Sequence, residues 1–277
     1  MSPQAGLFAR LLDDAAIFPP GDLPLDRAVA AHLRHRESAH AALVGPFVAG
    51  AGALGELAPV VASLASGSLE IALTATVPTL AAALDDAEAI AAVRVVAVEV
   101  ALPADMTPDD AIEIVGRRNA GRVFVELPRD ERRSPLLAAL AREGYAAKLR
   151  TGGVVADLHP SERELAEAVV AAVAADVPFK ATAGLHHAVR NTDPTTGFEQ
   201  HGFLNLIVGT DAARAGADVA DVAGILAERD GARLAERAGR VSPRVRESFR
   251  SFGTCSIAEP VAELAALGLL VDPAVLA

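Results

Sequence analysis

Two lysines stand among twenty-five Lys and Arg side chains, the rest being arginine, and each lies in a short apolar run. Lys148 falls in Ala146–Thr151 and Lys180 in Pro178–Ala183. An exposed cation can be arginine or lysine at little cost. Lysine kept inside apolar segments of so arginine-biased a chain therefore points to a use for a compact amine that can lose its proton. The plain alternative is two stems lying in apolar surroundings with their ammonium groups in water. If both runs are β-strands, alternate side chains share a face, pairing Lys148 with Arg150 and Lys180 with Thr182. On neighbouring strands the two amines would face each other, and two poorly solvated cations at close range push at least one pKa toward neutrality. An unprotonated lysine beside a cation is the nucleophile that forms a Schiff base with a carbonyl compound.

Such chemistry needs a proton shuttle, and two carboxylates end apolar runs, Glu99 after Val95–Val98 and Glu126 after Val123–Val125. Buried carboxylates are rare unless paired, and Lys148, Lys180 and Arg150 are the cations at hand. A salt bridge inside the fold would use the same residues. His186, His187 and His201 cluster in sequence after the second lysine, followed by Asn205, and histidine can move protons or ligate a metal at neutral pH. Adjacent residues of an extended segment point to opposite sides, so His186 and His187 are expected to diverge. Cys255 is read as a packed thiol. Asp13 and Asp14 are expected to end a first helix, where the dipole disfavours them.

These side chains must be positioned by strands. Candidate strands are Ala15–Phe18, Leu43–Val48, Leu69–Thr76, Val93–Val100, Arg122–Leu127, Ala146–Thr151, Pro178–Ala183 and Phe249–Thr254. Between them lie amphipathic segments with recognisable starts: Thr107-Pro108, Ser134-Pro135, and a capping box in Ser161 and Glu164. Eight such units in one chain predict an α/β fold, a closed (β/α)8 TIM barrel, rather than an open sheet. The first βα turn reads Phe18-Pro19-Pro20-Gly21, and prolines offer no N–H groups to a pyrophosphate. Gly50-Ala51-Gly52-Ala53-Leu54-Gly55 matches a G-x-G-x-x-G pattern but has no acidic ribose partner at the expected distance. One domain over residues 1–277 is expected, with an enlarged connection between strands seven and eight, a helical insertion at about 185–247. Its helices are expected around Leu204–Ala215 and Val219–Gly239.

Three segments in order resemble the deoxyribose-phosphate aldolases. Lys148-Leu149-Arg150-Thr151-Gly152 is similar to the K-x-x-T-G segment that carries their Schiff-base lysine. Lys180-Ala181-Thr182-Ala183-Gly184-Leu185 is similar to their second-lysine segment, and Phe252-Gly253-Thr254-Cys255-Ser256 to their phosphate loop. The resemblance covers the C-terminal half of the barrel. It implies a class I aldolase-like lyase of carbohydrate metabolism, without a cofactor, that makes or breaks a C–C bond. Lys148 would be the nucleophile, Lys180 the cation that depresses its pKa, and Glu99 the nearest equivalent of the family's catalytic aspartate. Gly253, Thr254 and Ser256 would hold an anion at the start of the last helix, although Ser256 with Glu259 reads equally as a helix cap. Gly184-Leu185-His186-His187 stands where the family carries an arginine.

Composition narrows the partners. A net charge of −11 argues against binding DNA or an anionic membrane surface, and a single Tyr with no Trp leaves no evident stacking platform for single-stranded nucleic acid. A single cysteine and the lack of a long apolar stretch point to the cytoplasm. A small anionic carbonyl substrate, phosphorylated or not, is the expected partner, and Ala262–Leu270 would suit a homodimer. The competing readings are a metal-dependent hydrolase or isomerase using His186 or His187, His201 and a strand-end Glu, and a barrel that binds a metabolite without turnover.

Overall fold

The computed structural model describes residues 3–63, 68–117 and 122–270. Its strands are β1 (Leu12–Asp14), β2 (Val44–Gly50), β3 (Leu69–Thr76), β4 (Val93–Ala101), β5 (Arg122–Glu126), β6 (Ala146–Arg150), β7 (Phe179–Thr182), a two-residue pair β8 (Asn191–Thr192) and β9 (Glu199–Gln200), and β10 (Phe249–Thr254). All but β8 and β9 pair in parallel and close into a barrel, β1 joining β2 on one side and β10 on the other. Helices alternate with these strands, so the chain is a (β/α)8 barrel. The G-x-G-x-x-G segment opens a short turn and the helix Leu54–Ala62 beside a closed sheet, not a dinucleotide crevice.

Seven strands lie where the apolar runs predict them, and the first does not. The helix Pro3–Phe8 stops before Arg10, whose φ of 48° is left-handed, and the chain enters β1 at Leu12. Asp13 and Asp14 are therefore strand residues, not the end of a helix. Ala15–Phe18 forms the turn beyond the strand, where the Ala15 N–H donates to the Thr254 carbonyl (2.8 Å) and the Phe18 N–H to Ala15 (2.9 Å). The two prolines that follow cannot supply ladder donors, which ends the sheet early.

Elsewhere the local chemistry works as read. Thr107 caps the helix Pro108–Gly116 by accepting from the Asp110 N–H (3.2 Å), and Ser161 with Glu164 forms a reciprocal capping box. Ser134 is already inside the helix Arg133–Glu143. The long connection holds the β8–β9 hairpin and helices Phe203–Arg214, Val219–Leu226 and Gly231–Ala238. The expected helix over Val219–Gly239 is two helices, because Asp230 caps the second by accepting from the Arg233 N–H (3.1 Å). The outermost residues of the predicted 1–277 span lie outside those described. Among the described residues no helix is long and apolar enough to cross a membrane.

Each strand has two faces. Outward side chains such as Phe47, Ile71, Val98, Val125 and Leu149 pack under the helices in one large core. The inward face is sparse: Val48, Ala72, Ala97, Phe124 and Ala146 form the apolar filling of the lumen. Three alanines among five such positions leave the centre unfilled by branched side chains. Charged side chains occupy it instead.

Candidate active site

The two lysines are register partners on β6 and β7, and Glu126 on β5 is register partner to Lys148. Parallel pairing thus places three titratable side chains in one row. Both lysines are buried, with Lys180 1% and Lys148 6% exposed. Glu99 on β4 lies between them: its Oε1 accepts from Lys180 Nζ and its Oε2 sits 3.7 Å from Lys148 Nζ. Lys148 Nζ is 3.1 Å from Glu126 Oε2, and Arg150 Nε donates to Glu126 Oε1 (2.8 Å). On the far side Lys180 Nζ donates to Asp13 Oδ2 (2.6 Å), which also accepts from the Ser251 hydroxyl (2.6 Å).

Three carboxylates therefore face three cations along the lumen, and this corrects the expected electrostatics. The two amines do not simply repel, because Glu99 bridges them. For Lys180 the shift runs opposite to a depressed amine: burial disfavours its charge, but Asp13 and Glu99 outweigh burial and hold its pKa above the ordinary lysine value. Burial likewise opposes ionisation of Glu99, yet Lys180 and Lys148 bring it below the usual range. Glu126 follows the same pattern, burial being outweighed by Lys148 and Arg150. For Asp13, burial wins over the pull of Lys180 and its pKa rises. With two acids on one ammonium, one acid is left holding its proton more tightly.

This row forms the floor of a cavity of about 570 Å³ at the C-terminal ends of the strands, the end of such barrels where loops gather chemistry. Glu99, Glu126, Lys148, Arg150, Lys180, Thr182, His186 and Gly253 all line it. The rim is partly apolar, with Phe18, Val154 and Leu158. The glycines of the two lysine segments serve close approach. A Cβ on Gly152 or on Gly184 would come within 3.0 Å of the other's Cα, and Gly184 has a φ of 75°. Thr151 locks the same junction by donating its hydroxyl to the Thr182 (3.2 Å) and Ala183 carbonyls.

Other expected residues go elsewhere. His187 turns outward to Glu263 (2.6 Å), a bond that raises its pKa. His201 is buried, its Nε2 donating to the Pro160 carbonyl (2.8 Å), and burial pulls it down to about 4, so it stays neutral. Asn205 ties the long connection together by accepting from the Arg190 N–H (3.0 Å) and donating to the carbonyls of Ile225 and Glu228. Only His186 reaches the cavity, where burial depresses its pKa and Cys255 Sγ lies 3.2 Å from its Nδ1. The three histidines thus part, and among the described residues no group of three His, Cys, Asp or Glu side chains is gathered to hold a metal. The Cys255 thiol is raised by burial to about 11, as suits packing more than reactivity.

At the end of β10 the anion-loop reading is only partly met. Gly253 lines the cavity, but the Thr254 hydroxyl donates to the Ser256 carbonyl (2.9 Å). The Ser256 and Glu259 N–H groups are already spent on the Thr254 and Ser256 hydroxyls. The helix-cap reading of Ser256 holds to that extent.

Asp13 and Ser251 escaped the sequence reading as site residues. The signal for Asp13 was the oddness of a carboxylate pair directly after Leu11-Leu12, which a buried strand explains better than a helix end. Asp14, pointing the other way, meets His32 (3.1 Å) beneath the helix Leu25–Glu37. A comparison with family models, curated proteins and solved structures finds no match for this chain. What the arrangement offers chemically is a buried amine touching a carboxylate, beside a second amine locked as a cation, at the bottom of an open cavity.

Proposed function

We propose that the C-terminal mouth is the active site of a class I aldolase-type lyase in which Lys148 forms a Schiff base with a small aldehyde or ketone. The observation that carries this reading is the row Glu126–Lys148–Glu99–Lys180 on the cavity floor. Lys148 is chosen over Lys180 because its carboxylate contacts are longer, 3.1 Å to Glu126 and 3.7 Å to Glu99, whereas Lys180 is clamped by Asp13 and Glu99 and held charged.

Lys148 releases its ammonium proton into the open cavity, with Glu126 at 3.1 Å orienting the amine, and the free amine attacks the substrate carbonyl carbon. The carbonyl oxygen takes up a proton to give a carbinolamine, which loses water to leave a protonated imine. Cleavage of the bond between the carbon next to the imine and its hydroxyl-bearing neighbour sends the electron pair into the imine as an enamine, while that hydroxyl gives up its proton and the departing fragment becomes an aldehyde. Protonation of the enamine carbon and hydrolysis return Lys148. Glu99, shared by both lysines, carries protons between these steps, and Lys180 stays a fixed cation beside it.

The mouth's charges balance, so an anionic substrate group is received at the outer edge of Arg150 rather than by a cationic basin. The apolar rim takes the rest of a small molecule. A lone, partly buried cysteine fits a cytoplasmic setting. The test is turnover and borohydride trapping across a panel of aldehydes and keto acids. Wild type gives a reduced adduct and Lys148→Arg gives none; a panel in which neither protein is trapped refutes the covalent mechanism.

A further inference from the structure

A second cavity, of about 680 Å³, opens at the opposite end of the barrel. Its wall is made of strand starts. Arg94 is the second residue of β4, Arg122 the first of β5 and Arg250 the second of β10, with Arg246 rising from the turn Pro243–Glu247. Arg94 and Arg10 share the one carboxylate of Glu70. Asp13, in the floor, is already taken by Lys180 and Ser251. Among the described residues the Arg122 and Arg250 side chains have no hydrogen bond or ion pair. Arg246 donates through Nη2 to the carbonyls of Ala9 (3.2 Å) and Arg250, but its Nη1 is buried with no partner.

These three guanidinium groups repel one another. Burial first, and then Arg250 and Arg122, bring Arg246 down to about 10, although Asp13 pulls the other way. Burial and Arg122 also lower Arg250, against Glu247. The end of a barrel that lies away from the loops ordinarily contributes stability. Unpaired arginines around a hollow do the reverse, and they do so in a chain whose net charge is −11.

We propose that this lower cavity is a binding site for a small phosphate-bearing anion, held by Arg122, Arg246 and Arg250. Guanidinium forks match phosphate oxygens two at a time, and three of them suit a polyvalent tetrahedral group better than a single carboxylate. The free Arg246 Nη1 supplies a buried donor, and the cavity has room for more than one phosphate. The site is separate from the mouth and does not depend on the Schiff-base reading.

The experiment is calorimetric titration of the full chain with pyrophosphate at low salt, with citrate as the carboxylate probe. Wild type is expected to bind one pyrophosphate per chain, and R122Q/R250Q to weaken it by roughly tenfold or more. R150Q, at the other mouth, is expected to leave binding unchanged. Because Arg122 is exposed, R122Q alone serves as a second variant whose fold is intact, and it is expected to weaken binding severalfold. No saturable binding, loss of binding in R150Q with R122Q unaffected, or citrate bound more tightly than pyrophosphate would each overturn the proposal.

Discussion

The two ends of this barrel handle charge in opposite ways. From the C-terminal mouth down into the lumen, Glu126, Glu99 and Asp13 answer Arg150, Lys148 and Lys180, and the carboxylate oxygens bridge from one cation to the next. At the base, Asp13 and Glu70 are engaged by Lys180, Arg10 and Arg94, and among the described residues Arg122 and Arg250 form no ion pair while Arg246 keeps a buried Nη1 without a partner. Lys180 lines both cavities and marks the boundary. Burial alone does not indicate what a charge is for. A balanced buried row sustains itself, whereas half-buried and exposed arginines without ion pairs are free to receive an anion.

The largest expected effect comes from removing the charge that both ends share. Lys180→Met leaves Asp13 and Glu99 buried without their ammonium, and should cost about 3–5 kcal/mol of stability in urea titration at neutral pH. A cost below about 1 kcal/mol would show that the row is solvated rather than buried. The same variant carries a pH signature. Since folding raises the Lys180 pKa above its ordinary 10.5, its stabilisation is complete below that value and is lost as the pH climbs through the folded pKa. Wild type should therefore weaken at the alkaline extreme more steeply than Lys180→Met does.

A smaller change tests the boundary. Ser251→Ala removes the hydroxyl that donates to Asp13 Oδ2, and should cost about 1–2 kcal/mol by thermal or urea unfolding. No measurable loss would mean that Lys180 alone satisfies Asp13. The smallest effect has the opposite sign. R122Q/R250Q should gain about 0.5 kcal/mol at low salt without added anion, and the gain should fade as salt screens the repulsion. If removing these arginines destabilises the protein, the base is balanced after all and the contrast between the ends disappears.

Much of this was legible in the chain. The β-branched runs from Leu69 to Thr254 gave the strand order, because buried parallel strands read as continuous apolar segments. The pairing of Lys148 with Lys180 followed from adjacent strands and alternation. The first strand was not legible, since Leu12-Asp13-Asp14 is short and two-thirds acidic while Ala15–Phe18 looks more strand-like. Asp13 makes sense only against a lysine 167 positions away. The histidines misled because nearness in sequence after β7 says nothing about direction within a long connection. The base arginines were visible singly at strand starts, but their convergence is a property of the closed barrel.

Lys148 is proposed as the amine that turns covalent while Lys180 remains a cation. The direct measurement is peptide mapping by mass spectrometry after borohydride reduction with a carbonyl substrate. One reduced adduct per chain is expected, on the peptide containing Lys148 and absent from Lys148→Arg; an adduct on Lys180, or none on any lysine, contradicts the assignment.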